Sequence, residues 1–186
     1  QLPAGRVVFI AGLVVAVGRV VLARGIAFVP QERALFPRMT VRENLRMGGF
    51  LLRDAREIDR RVDAVMDRFP ILRERASQHA GTMSGGQQQT LSMARTLILR
   101  PQVVMLDEPS LGLAPKVVRE MFDIMRMIAA EGVTILLVEQ NAVMGLGHAD
   151  WGVVLDLGRT LFEGPAAEVL ADPRIRELYL GGRRAA

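Results

Sequence analysis

The chain has 186 residues, 50% of them apolar and 24% charged, which excludes a disordered chain and leaves room for one domain with a core. Its net charge of +4 comes from arginine, since Lys116 is the only lysine, and acids alternate with arginines through residues 42–75. That pattern belongs to a solvated helical face and not to a nucleic-acid track, and without cysteine there is neither a disulfide nor a thiolate metal site.

The first residue is Gln1 and not Met, so a fragment or a processed product is expected. Residues 7–17, "VVFIAGLVVAV", are apolar enough for a signal-peptide core or half a membrane span. Arg19 stops the run short of the ~20 residues that a spanning helix needs, and its β-branched content favours strands. "GIAFVP" (25–30) reads as a strand ended by Pro30. Thr40 and Glu43 form a capping box at the start of the next helix. Another helix follows Asp54, with Ile58, Val62, Val65 and Phe69 at helical spacing. "PILRERASQHAGT" reads as a connector containing His79; this histidine and His148 stand alone, without metal spacing.

Ser84 and Gln87 make a second capping box, and Leu91, Ala94, Leu97 and Ile98 are the apolar face of the helix it opens. Strand and helix then alternate. "VVMLD" (103–107) is a buried parallel strand ending in acid, "PKVVREMFDIMRMIAA" (115–130) an amphipathic helix, and "VTILLVE" (133–139) a second buried strand. His79 and His148 are both read as surface or helix-end histidines. "WGVVLDLGRTLFEG" (151–164) is a hairpin turning near Leu157–Gly158, with short helices after Pro165 and Pro173. The expectation is an α/β domain with an all-helical insert at about residues 40–80.

Two places carry chemistry. Asp107 and Glu108 put two carboxylates at the carboxyl end of a parallel sheet, where ligands bind in open α/β folds. One acid can hold Mg²⁺ through its hydration shell and the other can orient a water, although for an isolated "LDE" a solvated strand end is the commoner explanation. Ser84, Gly85, Gly86 and Gln87 open a helix whose amides point outward and favour an anion. A capped helix start alone also accounts for Ser84 and Gln87.

Taken together, "MSGGQQQTLSMARTLILRPQVVMLDEPSLGLAP" resembles the signature, helix, Walker B and D-loop run of ABC transporter ATPases. "VPQERALFPRMTVRENL" is similar to that family's Q-loop and entry to its helical subdomain, and "TILLVEQNA" to its switch strand. The resemblance runs from Gly25 to about Leu180. It looks most like the ATPase subunits of branched-chain amino acid importers. It implies a P-loop NTPase-like α/β core with an inserted helical subdomain and its N-terminal part missing. The expected divisions are 1–24 unmatched, 25–39 core strand and Q-loop, 40–83 helical subdomain, 84–164 signature helix and core, and 165–186 C-terminal helices and tail.

The resemblance also implies roles. Gln31 is the Q-loop residue that touches Mg²⁺ and faces the membrane subunit. Asp107 holds Mg²⁺ and Glu108 is the general base. Ser84–Gln87 contact the γ-phosphate of ATP held by a partner subunit. Ser110–Leu113 form the D-loop. Gln140 takes the switch position, usually histidine; it can bond a phosphate but cannot take up a proton. The implied partners are a second ABC ATPase subunit and transmembrane permease subunits, at the cytoplasmic face of the membrane, with no nucleic acid.

The P-loop, G-x-x-x-x-G-K-[ST], is absent. In "GLVVAVGRV" (12–20) five residues separate the glycines, arginine replaces lysine, and Gln31 lies too near. The chain is therefore expected to be inactive alone. Either it belongs to an importer ATPase, or it is a catalytically dead fragment that lends its signature to a partner's site. An ABC-type DNA-repair ATPase is disfavoured, because an insert of about 40 residues has no room for a long coiled coil.

Overall fold

The computed structural model describes residues 7–11 as backbone, and residues 24–32 and 34–175 in full. A six-stranded sheet organises them. In chain order its strands are β1 (Val7–Ala11), β2 (Ile26–Val29), β3 (Val103–Asp107), β4 (Thr134–Val138), β5 (Trp151–Asp156) and β6 (Arg159–Pro165). Their spatial order is β2-β3-β4-β1-β5-β6, parallel throughout except for the antiparallel pair β5–β6. The apolar run at residues 7–17 thus supplies a central strand over Val7–Ala11, while residues 12–17 lie outside the described residues.

Ala27, Val29, Val104, Leu106, Ile135, Leu137 and Val154 are buried along these strands and form the inner layer of the core. The hairpin turns at Leu157 and Gly158, which both have positive φ (44° and 77°), the twist that a two-residue turn between strands requires.

The helices are α1 (Val41–Gly48), α2 (Ala55–Arg68), α3 (Pro70–Glu74), α4 (Gly85–Thr96), α5 (Pro115–Ala130), α6 (Ala142–Leu146) and α7 (Ala166–Ala171). The expected connector after Phe69 is instead α3 followed by a 3₁₀ turn at Ala80–Thr82. Pro70 is tolerated at the first helical turn, where its missing N–H has no partner to lose, and Leu72 is fully buried. The second C-terminal helix begins at Pro173, and the tail beyond residue 175 lies outside the described residues.

The helical excursion is closed at its base. Val41 N–H donates to Gln78 O, Arg42 N–H to Ala76 O, Ala80 N–H to Met39 O and Gly81 N–H to Pro37 O. Within it, the alternating charges become ion pairs: Arg42 with Asp63 at 2.9 Å, Arg61 with Glu57 at 2.6 Å, and Arg46 with Asp59. Most are half-exposed, so they orient the helices more than they stabilise them. Val41, Leu45, Val62, Val65, Met66 and Phe69 bury the apolar faces between.

Candidate functional site

Three adjacent parallel strands, β2, β3 and β4, end at one edge of the sheet, and that edge gathers the predicted chemistry. β2 leads through Pro30 into Gln31, β3 ends at Asp107, and β4 ends at Val138, the Cα partner of Asp107. Beyond the strand, Glu108 N–H still donates to Val138 O at 2.9 Å, so Glu108 is held at the sheet edge. Its backbone is left-handed, φ 42°, a conformation that costs a non-glycine residue of order 1–3 kcal/mol and is concentrated at functional sites. The Gln31 side-chain amide donates to Glu108 Oε2 at 3.3 Å. Gln31, Asp107 and Glu108 are thus brought together from two strands, and Gln140 stands exposed just past the end of β4.

This donor set fits magnesium. Mg²⁺ keeps several waters and is held by one or two carboxylates together with substrate phosphates, not by a full protein cage. Among the described residues no group of three or more acids or histidines could enclose a metal. Asp107 offers one carboxylate at the edge, and Gln31, with its amide nitrogen turned to Glu108, keeps its amide oxygen for a ligand.

Glu139 is a member of this edge that the sequence reading did not single out. It is 4% exposed, and its carboxylate accepts the Ser110 N–H at 3.0 Å. Burial pushes its pKa up and the negative charges of Glu108 and Asp107 add to this, while the bonds from Ser110 oppose them. A signal existed: strand alternation puts residue 139 on the same face as Ile135 and Leu137, both fully buried.

Ser84 lies elsewhere. It caps α4, with its hydroxyl accepting the Gln87 N–H at 3.4 Å, while the Gln87 side chain accepts the Ser84 N–H at 3.1 Å. Both capping boxes therefore form, this one and that of Thr40 and Glu43. Ser84 is exposed, and among the described residues no hydrogen bond joins Ser84, Gly85, Gly86 or Gln87 to Gln31, Asp107, Glu108 or Gln140. The helix start borders a cavity of about 310 Å³ shared with Val117, Glu120 and Met121 of α5. Gly86 has a packing reason of its own, because a Cβ there would sit 2.4 Å from Val117 Cγ1.

Two further residues tie the Gln31 loop to the helices. Asn44, fully buried, accepts the Phe36 N–H at 2.9 Å, and its amide nitrogen lies within 3.2 Å of the Phe36, Met39 and Thr40 carbonyls. Arg95, on the helix that Ser84 opens, donates to Ala34 O at 2.8 Å, and its burial lowers its pKa. Asn44 was readable from its place on the same helical face as Val41 and Leu45; the long reach of Arg95 was not.

The family model described as ABC transporter matches residues 5–111, more than half of the chain. The chain belongs to the ABC transporter family. The match begins at residue 5, inside the segment 1–24 for which the sequence reading finds no counterpart. Among curated proteins the chain is 46% identical over 162 residues to the high-affinity branched-chain amino acid transport ATP-binding protein BraG of Pseudomonas aeruginosa, covering 87% of this chain and 69% of that protein. It is 40% identical to the probable branched-chain amino acid transport ATP-binding protein LivF of Archaeoglobus fulgidus, covering 84% of this chain and 66% of that protein.

Among solved structures it resembles the ADP conformation of MJ1267, an ATP-binding cassette of an ABC transporter, with a TM-score of 0.79 and 24% identity over 96% of this chain and 89% of the other. CbiO1 of Clostridium perfringens also gives a TM-score of 0.79, at 23% identity, over 95% and 85% of the two chains. These likenesses bear out the ABC ATPase fold and the P-loop NTPase-like class.

Proposed function

We propose that this chain is the ATP-binding subunit, or the larger part of it, of an importer for branched-chain amino acids. The observation that carries the proposal is the division of the site. Gln31, Asp107 and Glu108 share the carboxyl edge of the sheet, while Ser84–Gln87 form a capped helix start, with Ser84 exposed, that no hydrogen bond among the described residues connects to them. Such a division suits a dimer in which each chain contributes different parts to a site. Asp107 holds Mg²⁺, with the Gln31 amide oxygen beside it. Glu108 orients or deprotonates the attacking water, and Gln140 bonds the γ-phosphate without taking up a proton. Ser84–Gln87 present a hydroxyl and helix N-terminal amides to the γ-phosphate of ATP held by a second ABC ATPase subunit. The names of the similar proteins support the branched-chain amino acid assignment.

Permease subunits are the expected membrane anchor, since no helix among the described residues is long and apolar enough to cross a membrane. An apolar groove of about 370 Å³, lined by Phe28, Phe36, Met47, Phe50 and Arg95, opens beside the loop that follows Gln31. Phe36 and Phe50 are exposed there, and their place next to the Q-loop supports contact with a permease on the cytoplasmic side.

A second reading rests on one observation: Lys116, the chain's only lysine, lies after the D-loop, so none is available to hold ATP phosphates. Under it the chain lends its signature to a partner's site and has no turnover of its own. Titration calorimetry of the isolated chain with ATP tests the division of labour common to both readings. Without the amides and lysine of a P-loop, each charge-assisted bond lost costs about 1.5–3 kcal/mol, and the expected dissociation constant is millimolar or weaker. Micromolar binding by the chain alone would contradict it.

A further inference from the structure

Glu139 plays no part in the reading above, and its surroundings are costly for an acid. It is 4% exposed, lies near the two carboxylates of Asp107 and Glu108, and among the described residues no arginine or lysine forms an ion pair with it. Burying an unpaired carboxylate is unfavourable unless hydrogen bonds compensate it. Its compensation comes from one residue, Ser110, whose N–H donates to the carboxylate at 3.0 Å.

The two partners sit on the two arms of the site. Ser110 follows Glu108 by two positions, and Glu139 immediately precedes Gln140. The loop between β3 and α5 needs an anchor. It starts at the left-handed Glu108, turns through Leu111 N–H to Glu108 O (3.1 Å) and Leu113 N–H to Ser110 O (3.1 Å), and passes Gly112 at φ 71°. Past Glu108, the Ser110–Glu139 bond is the hydrogen bond that joins residues 109–114 to residues 134–141 among the described residues.

We propose that Glu139 is a positioning residue: its buried carboxylate fastens the Ser110 loop to the end of β4, so that the loop after Glu108 and the Gln140 switch hold or change position as one unit. This rests on the reading of Asp107, Glu108 and Gln140 as the catalytic edge. A carboxyl oxygen accepts a backbone N–H in either protonation state, which suits a two-residue link that must hold a strained backbone.

Two measurements on the 186-residue chain test it. The first is hydrogen exchange without nucleotide. Glu139→Ala should speed exchange of the Ser110 amide by about tenfold to a hundredfold, the loss of its one hydrogen-bond acceptor, while the amides of Glu108 and Ile135 keep their rates. Glu139→Gln, which keeps an acceptor oxygen and the side-chain shape, should leave Ser110 within a few fold of the parent. If Glu139→Ala does not fold, Glu139→Met replaces it, filling the volume with no oxygen. An unchanged Ser110 rate, or an equal acceleration at every amide, would overturn the proposal.

The second is ATP-dependent pairing with an intact ATPase subunit. Glu139→Ala should weaken it about tenfold and Glu139→Gln should restore it. A freed Ser110 amide with unaltered pairing would overturn the claim that the link serves the site. If the parent chain itself never pairs in ATP, the composite-site reading fails, and Ser110 exchange alone then decides whether Glu139 fastens the loop.

Discussion

Gly86→Ala distinguishes the packing role of this glycine from the role proposed for it toward a phosphate. The new Cβ would lie 2.4 Å from Val117 Cγ1 and 3.3 Å from Val117 Cγ2, against an ordinary contact of 3.4–4 Å. About 1 Å of space has to come from somewhere. Val117 sits in the first turn of α5, and a β-branched side chain in a helix has one strongly preferred χ1, so it cannot simply rotate away. Either α4 and α5 separate or Val117 leaves its rotamer, at a cost of about 1–3 kcal/mol. Alanine's better helix propensity returns up to ~1 kcal/mol. The packing term is the larger, and the expected net loss is about 1–2 kcal/mol in urea unfolding. Val117→Ala removes both clashing methyls, so the double variant should recover most of that loss, a coupling above 0.5 kcal/mol. A Gly86→Ala chain as stable as the parent, or a double variant no better than the single, would refute this reasoning.

Two further outcomes are expected. Hydrogen bonds from Thr40 hold the Glu43 carboxyl below the usual carboxylate range. A depressed folded-state pKa gives stability that is present above the unfolded value near 4.5 and lost as pH falls through the folded one, so acid titration of unfolding should show a smaller loss below pH 4.5 in Glu43→Gln, which keeps the capping box without the titration. Joined to the part of the Pseudomonas relative that it does not cover, the chain should hydrolyse ATP. In that fusion, Glu108→Gln should cut turnover by roughly 10²–10⁴ and leave ATP binding nearly unchanged, and equal loss of both in steady-state and binding assays would reject Glu108 as the general base.

Much of this fold was legible because its signals are local. Both capping boxes form, β3 and α5 fall at their expected bounds, and the hairpin turns at Leu157–Gly158, since each depends on residues a few positions apart. α3 was not legible: five residues holding a proline and two charges carry too short a period to separate a helix from a connector. The sheet order was beyond local reasoning as well. Nothing in "VVFIA" says that it lies between β4 and β5, because a parallel strand's neighbours are set by crossovers distant in sequence. At the site, Asp107 and Glu108 announced themselves by position. Their contact with Gln31, and the Ser110–Glu139 link, join residues far apart in the chain and had to be seen in three dimensions.

The central claim, that Ser84–Gln87 serve a partner's phosphate, is tested most directly by sedimentation velocity of this chain mixed with a hydrolysis-dead, intact ATPase subunit of the branched-chain type. With Mg²⁺ and ATP the mixture should contain a heterodimer, and without ATP it should not. Ser84→Arg fills the space that the γ-phosphate needs and should abolish the ATP-dependent species, at a cost of only the ~0.5–2 kcal/mol expected for a lost cap. A heterodimer that forms equally well without ATP, or one that Ser84→Arg leaves intact, would contradict the claim.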